Sequence, residues 1–224
     1  MKPPKDFRSV FTPADEPYLG TPMLQQFDKM IVVLMDHHQL IGPWTRANEL
    51  NDLQLAACQL VPQTSSLLLG MREMIRQAYL LPAAIMVRPI IERVATLSWL
   101  CENPEGVDLW QAGWKHGHRP SLAVRMESMI RTKKFPIEEA AAARQHFNSL
   151  IHGDPESADM GAMVQDSGEA VYTVSKDLES PARVSDLALQ GAMYSIALMA
   201  CSAECFPSLP LLQAESEGEK DHPT

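Results

Sequence analysis

Arg144, Asn148 and His152 follow one another at four-residue intervals in the stretch Ala143-Arg144-Gln145-His146-Phe147-Asn148-Ser149-Leu150-Ile151-His152-Gly153. A helix turns about 100° per residue, so the three fall within roughly 80° of one face. Gly153 is the residue type with which a helix leaves through a left-handed cap, which puts His152 in the last turn. Carbonyls without partners there favour a protonated imidazole. An acid/base group with an amide one turn behind it and a guanidinium two turns behind suits phosphate chemistry. In such chemistry His152 would exchange a proton, Asn148 would orient the phosphate or the imidazole, and Arg144 would stabilise developing charge. The same residues also suit a helix end that caps itself and bridges to a neighbour. The spacing is compatible with both.

A second stretch, Val87-Arg88-Pro89-Ile90-Ile91-Glu92, lies upstream and is followed by Trp99, Leu100 and Asn103-Pro104. Arg88 and Glu92 are one turn apart on an otherwise apolar helix, so they should be partners, because an isolated buried charge is very costly. Asn148-x-x-x-His152 resembles the motif of the HEPN superfamily, many of whose members are metal-independent ribonucleases with an Arg-polar-x-x-x-His signature. Phe147 stands where that signature has its Arg, which leaves Arg144, a turn earlier, as the nearest candidate. The upstream stretch is similar to the Arg-x-x-x-Glu helix of a group of bacterial HEPN-like proteins whose later helix ends in Asn-x-x-x-His-Gly. The resemblance implies a helical bundle and a metal-independent endoribonuclease, with His152, Asn148 and Arg144 catalytic and no cofactor or metal. It also implies a homodimer with two motifs facing one cleft, and a toxin or phage-defence component controlled by a regulatory protein partner. The other reading is a non-catalytic helical module that binds RNA, a nucleotide or a protein.

The net charge of −9 argues against indiscriminate nucleic-acid binding, but it is an average over the chain. Lys115, Arg119, Arg125, Arg131, Lys133 and Lys134 face a single acid, Glu127, across twenty residues. This is the pattern of a phosphate footprint and equally of a solvated helix face. Arg125 and Arg131, with Arg88 and Glu92, are the candidate supporting binding residues. Cys58, Cys101, Cys201 and Cys205 form no Cys-x-x-Cys pair and read as buried thiols of a reducing compartment. The N-terminus has no apolar signal core, and Arg88, Glu92 and Arg93 interrupt the apolar stretch that contains them. A cytoplasmic protein with no membrane span is expected.

The elements that must position these residues are helices. Pro3, Pro4, Pro13 and Pro17 predict an extended arm over 1–21, and Thr21-Pro22 opens the first helix. Gly42-Pro43 and Pro62 are expected to end helices near Ile41 and Leu60, with Thr64 or Ser65 capping the next one as far as Pro82. Further helices are expected over 82–102, at Leu109 to Trp114, over 120–132, up to His152 and over 180–205. Between the last two, about 160–176, alternating Ala170-Val171-Tyr172-Thr173-Val174 and an Asp166-Ser167-Gly168 turn predict a small β-hairpin flap. Residues 212–224 are an acidic tail expected to be disordered. The expected architecture is one all-α domain over 22–211, an antiparallel helical bundle with a hairpin insertion.

Overall fold

The computed structural model describes residues 16–115, 117–132, 167–168, 177–178 and 180–209, and the backbone of 162–164 and 170–172. The chain is mostly helical. Its helices are α1 (Pro22–Ala47), α2 (Asp52–Arg76), α3 (Leu80–Glu102), α4 (Val107–Gln111), α5 (Leu122–Arg131) and α6 (Pro181–Cys205). A 3₁₀ turn, Pro104–Gly106, precedes α4. Two three-residue strands, β1 (Ala162–Val164) and β2 (Ala170–Tyr172), pair antiparallel with Met163 opposite Val171.

Two expected breaks are absent. Pro43 lies inside α1 and Pro62 inside α2, so 52–76 is one helix where two were expected. An interior proline costs about 3 kcal/mol through a lost hydrogen bond and a ring clash. Around Pro62 the buried Leu60, Val61 and Leu68 each contribute about 1.5–3 kcal/mol, which outweighs it. The true start of α2 is a capping box. Asn51 Oδ1 accepts from Gln54 N–H at 2.9 Å and Gln54 Oε1 accepts from Asn51 N–H at 3.0 Å.

Packing registers fix the directions. Gln63 meets Arg93 across α2 and α3, and Met86 lies against Gly70, so these helices are antiparallel, as the three-residue connection requires. Between α1 and α6, Phe27 faces Gly191, His37 faces Ser202 and Trp44 packs edge-on against Phe206, so this pair runs parallel. Along α5, Arg125, Ser128 and Arg131 meet Thr96, Ser98 and Glu102 of α3 in the same order, again parallel. The uniformly antiparallel bundle is thus corrected. The short-loop rule applies only to consecutive helices, and neither parallel pair is consecutive.

Residues 16–21, the described end of the expected arm, do not extend into solvent. They form a turn in which Tyr18 is buried and donates from its hydroxyl to the Asp177 carbonyl at 2.5 Å. Among the described residues, α6 is the one helix long and apolar enough to cross a membrane by length and composition, and 56% of its most apolar window is buried within the fold.

A candidate anion-binding site on α3 and α5

Arg88 and Glu92 meet as their spacing predicts, with Arg88 Nε 3.1 Å from Glu92 Oε1. Their side chains are 18% and 33% exposed, which makes this a half-buried intrahelical pair of about 0.3–0.5 kcal/mol. Glu92 is also approached by Arg119, whose Nη2 lies 3.8 Å from Oε2. The connection after α3 brings Arg119 there. Asn103 donates to the Trp99 carbonyl at 2.8 Å, and Trp114, in the left-handed region at φ 51°, packs against Trp99 with ring centroids 5.7 Å apart and planes tilted by 59°. That ring contact holds a backbone conformation that few non-glycine residues adopt.

Arg125 completes the group from α5, a helix capped by Ser121. It is 2% exposed. Its Nη1 donates to Thr96 Oγ1 at 2.5 Å and to the Glu92 carbonyl at 3.3 Å. Its Nε is buried without a partner. No carboxylate lies within ion-pair distance of it among the described residues. Burial pulls its pKa down to about 10, with Arg119 and Arg88 pulling the same way and Glu92 opposing them. Among the described residues, three guanidiniums therefore gather near the Glu92 carboxylate, and the acceptors of the most buried of them, Arg125, are neutral. An anion placed among them would be drawn to charge and donors already fixed in position.

A second buried arginine shows what a self-sufficient site looks like. Arg72 of α2 is fully buried and grips Asp28 of α1 through Nε and Nη2 at 2.5 and 3.0 Å. Its Nη1 lies 2.6 Å from Glu16. Burial alone would lower its pKa, but the hydrogen bonds and charges of Asp28 and Glu16 outweigh that and raise it. Arg72 needs no ligand; it ties the N-terminal turn, α1 and α2 together.

Arg131 is not brought to the cluster. It lies six residues along α5, about 9 Å at 1.5 Å per residue, and pairs with Glu102 at 2.5 Å. Arg144, Asn148 and His152 lie outside the described residues. Sequence reading missed Arg119 as a member of the cluster, although it stood within the basic stretch. It also missed the Arg72 network and the His37–Ser202 pair.

His37 Nε2 and Ser202 Oγ are 3.1 Å apart, but both residues are buried and no third group orients the imidazole, since Nδ1 has no partner. Burial first, and then His38, hold the His37 pKa below its ordinary 6.5, so the ring is a neutral core polar group. Among the described residues no group of three or more His, Cys, Asp or Glu side chains is placed to hold a metal. No family model, no curated protein and no solved structure matches the chain.

Proposed function

We propose that this chain is an HEPN-like helical protein, working as a cytoplasmic homodimer, that holds a phosphate of RNA or of a nucleotide among Arg88, Arg119 and Arg125. The observation that carries the reading is Arg125: a buried guanidinium with no carboxylate partner among the described residues, beside two further arginines. A buried charge of this kind costs the fold stability, and a phosphate is the partner whose charge and acceptor geometry would offset it. The Arg144, Asn148 and His152 spacing favours a stronger form of the same proposal. In it the bound RNA is cut without a metal, His152 moves the proton, and the β1–β2 flap lies over the ligand, in a toxin or defence role held in check by a protein partner.

The test is anisotropy of a labelled single-stranded RNA and, separately, of a labelled nucleoside triphosphate, against wild type, Arg119→Ala and Arg125→Met. Both variants should weaken binding at least tenfold while the protein stays folded. One phosphate held by the site predicts a salt slope of roughly −0.7 for a single strand. RNA bound without loss on either substitution would defeat the site. A denaturing gel with chelator present, comparing wild type with His152→Ala, separates cutting from holding.

A further inference from the structure

The four cysteines are free thiols, and two of them touch. Cys101, in the last turn of α3, and Cys205, the last residue of α6, have their sulfurs 3.6 Å apart although 104 residues separate them in the chain. Cys101 is half-buried, whereas Cys205 is 3% exposed. The Cys101 sulfur also lies 3.9 Å from the Cys201 carbonyl. The Cys205 backbone is fixed by Gln54, whose Nε2 donates to its carbonyl at 3.1 Å. Cys58, on α2, has no sulfur neighbour within hydrogen-bond distance among the described residues. A disulfide needs its sulfurs about 2.05 Å apart, so closure of roughly 1.6 Å is required, within reach of side-chain rotation at two helix ends.

We propose that Cys101 and Cys205 are a redox-active pair that a peroxide converts into a reversible disulfide, locking the C-terminal ends of α3 and α6 together. The Cys101 sulfur attacks one peroxide oxygen and breaks the O–O bond, giving a sulfenic acid and water. The Cys205 sulfur then attacks the Cys101 sulfur and displaces the hydroxyl as a second water. Two thiols lose two electrons and two protons, and one hydrogen peroxide is reduced to two waters. Division of labour follows from the surroundings. The hydrogen bond with Cys101, and then burial, keep Cys205 protonated, so the half-buried Cys101 is the sulfur that meets the oxidant. In a reducing compartment such a pair is transient and responsive. The lock sits beside the contacts of α5, because Glu102, the next residue, accepts from Ser128 Oγ and Arg131 Nη2, both at 2.5 Å.

The test treats the full chain with hydrogen peroxide at one equivalent, then counts free thiols with a maleimide and maps peptides without reduction. Two of the four thiols should be lost, in one linked peptide containing Cys101 and Cys205, and dithiothreitol should restore both. In Cys205→Ser, Cys101 should instead be captured by dimedone as a sulfenic acid. In Cys101→Ser no intramolecular link should form, which keeps the test informative if the buried serine of the other variant impairs folding. A link to Cys58, an unchanged thiol count at excess peroxide, or equal dimedone capture in wild type and Cys205→Ser would each overturn the proposal.

Discussion

Replacing Arg125 by methionine should leave the fold as stable as wild type or more stable, while removing anion binding. A pKa drawn from 12.5 to about 10 means that the fold disfavours the charged guanidinium by about 3 kcal/mol, at about 1.4 kcal/mol per tenfold change in proton affinity. Against this stand two hydrogen bonds, to Thr96 Oγ1 and the Glu92 carbonyl. Their loss leaves little unsatisfied, because Thr96 Oγ1 already donates to that carbonyl at 2.6 Å. An apolar side chain of similar length should therefore change stability by about 0 to +2 kcal/mol, or roughly 0 to 8 °C in Tm for a chain of this size. Arg72→Met is the control. It strands Asp28 and Glu16 without their cation and should cost about 3–5 kcal/mol. Urea denaturation of the three proteins gives the difference directly. Pyrophosphate should raise the Tm of wild type and leave that of Arg125→Met unmoved, by linkage of binding to folding. A loss for Arg125→Met as large as that for Arg72→Met would show that Arg125 is a structural cation, and the reasoning that reserves it for a ligand would fail.

Glu92→Gln removes the carboxylate that pairs with Arg88 and Arg119 and should tighten RNA or nucleotide binding several-fold at low salt; weaker binding would mean that Glu92 orients the arginines more than it neutralises them. Gly191→Ala puts a methyl 2.6 and 2.7 Å from Phe27 Cε2 and Cε1 at the α1–α6 contact, and should cost about 1–3 kcal/mol by thermal melting, partly recovered by Phe27→Leu. Because the folded His37 has a pKa below the unfolded 6.5, the unfolded chain takes up the proton first as pH falls. The stability this neutral ring preserves is complete above pH 6.5 and is lost as pH drops through 6.5 toward the lowered value. Denaturation midpoints at pH 7.5 and 5.5 should differ less in His37→Gln than in wild type.

The helices and the Arg88–Glu92 pair were legible in the chain because both depend on local spacing: apolar residues at a 3.6-residue period, and opposite charges one turn apart. The start of α6 after Ser180 and the site of α5 were likewise local. The proline boundaries were not, since whether Pro43 or Pro62 ends a helix depends on how much apolar surface the continuing turns bury against other elements. The parallel α1–α6 and α3–α5 pairs were equally hidden, because a direction is dictated by a short loop and these helices are joined by long connections. The candidate site divides along the same line. Composition marked the segment from Lys115 to Lys134 as basic. Only packing decided that Arg119 and Arg125 join Arg88 at Glu92, that Arg131 is taken by Glu102, and that among the described residues buried Arg72 is met by carboxylates and buried Arg125 is not. A sequence states how many charges a chain carries, whereas the cost of each depends on distances to groups many residues away, and those distances exist only in the folded molecule.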